Sequence, residues 1–316
     1  MMVDVVVVGA GIAGLEAALE ASKKGCSVAV LSKTTLMRSS SAVASGGING
    51  VLDDPTDSIQ HHIDDTLKGG DGICSYKSVK VMCERAKEAI LDLDALGVTF
   101  AKDDAGNLKQ RPFGGTKAKR TCFSSDTTGS AIIQKLMASC RREGVTFVAN
   151  CTLLDLAVHE GRVSGVIVLM RGESRVEAIG CKAVVLATGG YAGIYRGHTT
   201  NAQENSGDAL VIALKGGLTL SNMEFIQFHP TTLPKSGSLI SEASRGEGAT
   251  IVDETGERFV DELLTRDKLS QAILTHQEKG HKDFLEYRHL SPSLIDERLP
   301  STKKIALFSA GVDIAT

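Results

Sequence analysis

An excess of charge of either sign is missing from these 316 residues: 35 Lys and Arg stand against 38 Asp and Glu, a formal net charge of −3. So balanced a chain gives no electrostatic reason to bind nucleic acid or an anionic membrane. Long apolar runs are missing as well. The longest, around Val5, is far short of the ~20 residues a membrane-spanning helix needs, and no signal peptide precedes it. Direct membrane insertion is therefore not expected. Cysteine occurs seven times, at 26, 74, 83, 122, 140, 151 and 181, an odd number with no CxxC spacing. That pattern excludes a disulfide framework and an iron–sulfur motif and suits scattered thiols in a cytoplasmic protein. No metal site is expected, and any cluster exchanging electrons with this chain would sit on another polypeptide. Internal repeats and low-complexity linkers are absent too. Apolar content of 42% and charged content of 23% are those of a globular protein with a sizeable core, and the length suits two domains.

The richest signal is Asp4-Val5-Val6-Val7-Val8-Gly9-Ala10-Gly11-Ile12-Ala13-Gly14. Four valines read as a buried parallel strand that drops into Gly-x-Gly-x-x-Gly and continues as a helix through Ala17, Ala18 and Leu19. In such a turn Gly9 permits the reversal, Gly11 admits a pyrophosphate to the backbone, and Gly14 lets helix pack on strand. The helix N-terminus offers free N–H groups to phosphate. A second strand, Ser27–Leu31, ends in Ser32-Lys33, where an acidic residue would hold an adenosine ribose, so a plain NAD site loses support. Downstream, Ala183–Ala187 is another buried strand ending in Thr188-Gly189-Gly190. Before it lies an expected hairpin, Leu153–His159 and Val163–Met170, turned at Gly161-Arg162. Helices are expected over 57–68, 77–95 and 128–142 from their apolar spacing. A domain boundary is expected at 225–230, where Pro- and Gly-punctuated loops begin. This order of elements resembles the two-dinucleotide-fold flavoproteins, and the cofactor it implies is FAD.

More motifs then fall in register. Leu31-Ser32-Lys33, Met37-Arg38-Ser39-Ser40-Ser41 and Ala44-Ser45-Gly46-Gly47 resemble the flavin loop of the succinate dehydrogenase, fumarate reductase and L-aspartate oxidase flavoproteins. So do Arg111-Pro112-Phe113-Gly114-Gly115, Arg120-Thr121, Asp126-x-Thr128-Gly129 and Thr199-Thr200-Asn201…Gly207-Asp208. Gln227-Phe228-His229-Pro230-Thr231, Ser241-Glu242…Arg245-Gly246-Glu247-Gly248 and Arg266-Asp267 continue the match in the same order. The resemblance implies an α/β fold: a Rossmann-like FAD-binding domain over 1–228 and an α+β capping domain over 229–316. The family's last segment, with a further histidine and arginine for substrate, is absent from this chain.

The resemblance also implies chemistry. Hydride would pass between flavin N5 and a four-carbon dicarboxylate, fumarate or succinate, with a proton exchanged at the neighbouring carbon. Arg266 aligns with the family's general acid. Since an arginine pKa exceeds ~12, it needs a relay, and Glu242 and Arg245 would supply one. The competing readings are a local Glu242–Arg245 ion pair and an Arg266-Asp267 pair opening a helix at Asp267. His229 and Ser241 would bind substrate carboxylates, with Phe113 against the substrate carbon. Gly9, Gly11, Ala13, Gly14, Ser32 and Lys33 would hold FAD, as would Ser39, Ser40, Ser41, Ser45, Gly46 and Gly47. Ala187, Thr188, Gly189, Asn201 and Asp208 would complete that site. An iron–sulfur electron-transfer subunit is the partner implied.

Two departures refine the expectation. Ser40 stands where covalently flavinylated relatives carry histidine, so FAD is expected to bind noncovalently, which favours fumarate reduction over succinate oxidation. Phe113 stands where L-aspartate oxidases carry a glutamate for the substrate ammonium, and an apolar ring leaves a buried –NH₃⁺ unpaired. The 57–74 segment and Glu242-Ala243 look more like the oxidase, which stays the alternative. A noncatalytic flavin-binding or electron-transfer component is a second alternative.

Overall fold

The computed structural model describes every residue except Asp54, Gln203 and Lys235. In chain order the elements begin β1 (Met2–Val8), α1 (Ile12–Lys23), β2 (Val28–Leu31), β3 (Ile48–Asn49), α2 (Ile59–Gly69) and α3 (Tyr76–Ala95). They continue with β4 (Gln110–Arg111), β5 (Thr121–Cys122), α4 (Thr128–Arg142), β6 (Thr146–Val148), β7 (Cys151–His159), β8 (Arg162–Met170) and β9 (Arg175–Leu186). The last third holds α5 (Asp208–Lys215), α6 (Glu242–Gly246), β10 (Thr250–Asp253), α7 (Arg266–Glu278), β11 (Asp283–Glu286), α8 (Pro292–Arg298) and α9 (Pro300–Ala310). Among the described residues no helix is long and apolar enough to cross a membrane. Two compact units divide the chain: Met1–Val43 with Gly129–Ile226, and Ala44–Thr128 with Gln227–Thr316. The limits expected from sequence, 1–228 and 229–316, follow chain continuity, whereas this division follows packing and puts residues 44–128 in the second unit.

The first unit is built on a six-stranded sheet in the order β6-β2-β1-β9-β8-β7. β1 pairs in parallel with β2 and with β9, and β2 with β6. Val6 and Val7 of β1 and Ala29–Leu31 of β2 are fully buried, which is why both strands read as unbroken apolar runs. β9 begins at Arg175, eight residues before the strand start expected at Ala183. Its first half pairs antiparallel with β8 and only its second half joins β1, and in that first half exposed residues outnumber buried ones. The β7–β8 hairpin turns at Glu160-Gly161, not at Gly161-Arg162. Glu160 and Gly161 both take positive φ, 50° and 74°, as a two-residue primed turn requires, and Arg162 already pairs with His159. Sequence alone marks the glycine, not the second left-handed residue beside it.

In the second unit β3, β5 and β4 form a small antiparallel sheet. α2 and α3 bury Ile63, Val79 and Cys83 against each other. Ser58 accepts from His61 N at 3.1 Å and caps α2, so the helix starts at Ile59, two residues after the expected 57. Ser75 caps α3 in the same way, and α4 spans the expected 128–142. β10 and β11 pair antiparallel, with Ile251, Leu269 and Ile273 buried between sheet and α7. Ala243 of α6 packs with Tyr287, Ile295 and Leu299, fixing α6 in the interior of this unit.

Candidate functional site

In the first unit, β1 delivers the chain into Gly9 at φ 115°, a left-handed conformation that costs little only without a side chain. A Cβ there would lie 2.2 Å from Ala187 O, and one at Gly14 would lie 1.9 Å from Gly9 O. The first glycine thus serves the turn and the last serves strand–helix contact. A Cβ at Gly11 would meet only Ser41 Oγ at 3.2 Å, because this glycine faces a cleft. Gly9, Gly11, Ala13, Ser32 and Lys33 line that cleft, as do Ser39, Ser40, Ser41, Ala187, Thr188, Gly189 and Asp208. Lys33 Nζ donates to Asp208 Oδ2 at 2.5 Å and Ser206 Oγ at 2.7 Å, tying the end of β2 to the start of α5. Burial disfavours the charged Asp208 carboxyl, but hydrogen bonds from Lys33 and Ser206 outweigh it and hold its pKa below the usual range. Asn201 does not line the cleft; its Oδ1 sits 3.2 Å from Ser40 Oγ, which also accepts from Asn205 Nδ2 at 2.7 Å.

The cleft fits a dinucleotide on three counts. The N-cap of α1 is Gly11, with no side-chain cap and no acidic residue in the first turn, leaving the helix end to an anion. The space a Cβ at Gly11 would occupy is open apart from Ser41. Glu204 lines the cleft with Oε1 3.1 Å from Arg38, while its Oε2 is buried without a hydrogen-bond partner. That orphan acceptor suits a hydroxyl donor such as a ribose. The sequence pattern points to the end of β2 for such an acid and carries no mark at Glu204. It arrives from a loop some 170 residues away.

In the second unit α6 carries Glu242 and Arg245, both buried. Ser241 is the N-cap of α6: its Oγ accepts from Ala243 N at 3.1 Å and from Ser45 Oγ at 2.7 Å. Glu242 Oε2 lies 2.9 Å from both Nε and Nη2 of Arg266, and 4.0 Å from Arg245 Nη2. The carboxylate thus turns toward a guanidinium 24 positions on, with its i+3 neighbour at longer range. Arg245 gives Nη1 to Glu262 O at 2.8 Å, while its Nε and Nη2 are buried without partners. Burial pulls the Arg245 pKa down, Glu242 opposes the shift and Arg266 adds to it. Arg266 also donates to Gln227 Oε1 at 2.9 Å. It is the first residue of α7, so the helix opens there and not at Asp267, and its guanidinium serves the cluster instead of the helix end.

Phe113 lies over Gly46: a Cβ on that glycine would be 2.6 Å from Phe113 Cζ. A Cβ on Gly114 would be 2.2 Å from Glu242 Oε1, so this loop crosses the carboxylate only because it has no side chain there. Arg111 Nη2 holds the loop of Ser45, Gly46 and Gly47 by donating to Gly46 O at 2.7 Å. Gly47, at φ 125°, leaves no room for a Cβ, which would be 2.5 Å from Cys122 O. Phe113, Gly114, Glu242 and Arg266 share one cleft with Asn49, His62, Asp65 and Gln227. His229 and Ser241 do not line it. Burial, and secondarily Arg266, push the His229 imidazole down to about 4; its Nδ1 lies 3.0 Å from Thr231 O and 3.3 Å from Thr231 N. In the sequence His62 and Asp65 are marked only as parts of a helix.

A parallel sheet whose first strand passes through Gly-x-Gly-x-x-Gly into an uncapped helix, with an antiparallel meander beside it, defines a dinucleotide-binding flavoprotein. A family model described as an FAD binding domain matches residues 4–316. A succinate dehydrogenase flavoprotein subunit of Rickettsia felis is 38% identical over 98% of this chain and 56% of its own length. The 8-methylmenaquinol:fumarate reductase flavoprotein subunit of Wolinella succinogenes is 36% identical over 98% of this chain and 54% of its own. An E. coli quinol fumarate reductase structure superposes with a TM-score of 0.92 at 33% identity, covering 99% of this chain and 58% of that one. The chain belongs to the FAD-binding succinate dehydrogenase/fumarate reductase flavoprotein family, and it spans a little over half the length of these relatives.

Proposed function

We propose that this chain supplies the FAD site and part of the dicarboxylate site of a fumarate reductase. The observation that carries the reading is the buried Glu242 carboxylate, bonded twice to Arg266 and flanked by Arg245 on a cleft lined by Phe113. Bound FAD supplies two-electron hydride chemistry. Gly9, Gly11, Ala13 and Gly14 form the pyrophosphate turn, with Ser32, Lys33, Ser39, Ser40, Ser41, Ala187, Thr188, Gly189 and Asp208 around it and Asn201 behind Ser40. Arg266 delivers the proton to the substrate carbon and is recharged through Glu242 and Arg245. His229 faces a substrate carboxylate through Nε2, while its Nδ1 is held by the Thr231 backbone, 3.0 Å from O and 3.3 Å from N. The Ser241 hydroxyl is a second carboxylate donor, and Phe113 excludes water.

Ser40 in place of a linking histidine supports reduction of fumarate as the working direction. L-Aspartate oxidation is not favoured. The relatives named above are succinate dehydrogenase and fumarate reductase flavoproteins, Phe113 offers an ammonium nothing, and Asp65 and Glu242 are both engaged by arginines. Those relatives are flavoprotein subunits, which supports a partner chain, and an iron–sulfur protein is its expected kind. The test is anaerobic: reduce the FAD-loaded protein with a viologen dye, add fumarate, and follow dye oxidation. Dye oxidation on adding fumarate supports the reading. Turnover of L-aspartate with oxygen, in the absence of fumarate reduction, overturns it.

A further inference from the structure

One wall of the Glu242–Arg266 cleft is the side of α2 bearing His62, Asp65, Thr66 and Gly69. Their spacing, i, i+3, i+4 and i+7, is that of a single helix face. Most polar groups on this face are already engaged. Asp65 Oδ2 accepts from Arg120 Nη1 at 2.9 Å and from Lys117 N at 3.0 Å. Thr66 Oγ1 donates to His62 O at 2.7 Å. Arg120, fully buried, gives Nε and Nη2 to Asp57 at 2.9 and 2.7 Å. His62 is different: it is 3% exposed, and its Nδ1 is buried without a hydrogen-bond partner. The cleft it lines measures about 210 Å³, room for several waters among polar walls. The same space is bounded by Glu242 and Arg266, so its waters lie against both the α2 face and that pair.

We propose that His62 relays protons through ordered water to the Glu242–Arg266 pair. The inference rests on the fumarate chemistry proposed above, and His62 is a positioning residue in that it acts through Glu242. A proton arriving from solvent through cleft water is taken up at Nε2 and passed back through water to Glu242. Glu242 recharges Arg266 after it protonates the substrate carbon. His62 ends with as many protons as it began, and no electrons move. The charged groups facing it are Asp57, Asp65 and Arg120, with Glu242 and Arg266 across the cleft. Burial and Arg120 lower its pKa against the two aspartates, so the neutral ring offers one donor and one acceptor at neutral pH.

His62→Ala and His62→Gln in the FAD-loaded protein test this. Fumarate-dependent kcat is expected to fall roughly ten- to a hundredfold, with KM within about twofold and dye reduction of the flavin unchanged. Added imidazole restores turnover to the alanine variant. Independently of activity, the His62 ring resonance titrates below the ordinary histidine midpoint and moves further down when Glu242→Gln removes the carboxylate across the cleft. Unchanged kcat overturns the proposal, as does lost kcat without imidazole rescue and with an unmoved midpoint. Absence of fumarate turnover in the unsubstituted protein overturns the functional reading on which it stands.

Discussion

Single residues set the chemistry through what each is denied as much as through what it touches. Glu242 sits in the interior with two guanidiniums for company, so its charge is compensated, while Arg245 keeps buried N–H groups unpaired. Arg266→Lys retains one positive charge but loses the fork that reaches Glu242 and Gln227 together. It is expected to lower fumarate turnover by roughly 10²–10⁴ with a much smaller change in KM, read by steady-state dye oxidation. Phe113→Glu would put a carboxylate beside a dianionic substrate. Fumarate should bind roughly ten- to a hundredfold more weakly, equivalent to ~1–3 kcal/mol, measured by calorimetric titration of the FAD-loaded full-length protein. Brisk oxidation of L-aspartate by the unsubstituted protein would reverse the substrate assignment. His229 gives a pH signature. Its folded value of about 4 lies below the ~6.5 of an unfolded chain, so the folded state holds fewer protons between these values. The stability tied to the neutral ring is fully present above ~6.5 and is lost as pH falls toward 4. Thermal melts should show that decline, and His229→Gln should flatten it.

At the scale of elements, the β1–α1 join separates two kinds of glycine. Gly11 faces open cleft, so Gly11→Val should abolish FAD content, read from flavin absorbance, while leaving the far-ultraviolet spectrum and melting temperature of the cofactor-free protein nearly unchanged. Gly14 has a carbonyl oxygen 1.9 Å from where a Cβ would stand, so Gly14→Ala should lower the melting temperature as well as the flavin content. Equal behaviour of the two variants would mean that the cleft does not take the pyrophosphate at Gly11. The helices at 59–69, 76–95 and 128–142 were legible because their apolar periodicity is local. The true start of β9 and the Glu160-Gly161 turn were not. The first depends on which neighbour each half of the strand pairs with, and the second on a non-glycine residue accepting positive φ.

For the molecule as a whole, the manner of cofactor attachment is the accessible test. Serine cannot form the histidyl bond to flavin C8α. Acid precipitation of the holoprotein should therefore leave yellow FAD in the supernatant, and yellow pellets would refute the Ser40 register. A noncovalent cofactor also stabilises by mass action, so the melting temperature should rise with added free FAD. The local sequence by itself determined the strand–glycine–helix cradle, the long helices and the identity of the reactive motifs, because each depends on steric rules and spacings within a few residues. Only the tertiary structure decided the rest. It turned Glu242 toward Arg266, brought Glu204 to the cleft where β2 supplies no acid, and grouped residues 44–128 with the second unit. It also aligned His62 and Asp65 on the wall that Glu242 and Arg266 share. The cause is physical: burial, compensation of charge and hydrogen-bond satisfaction belong to pairs of groups brought together from far along the chain, and no window of sequence contains both partners.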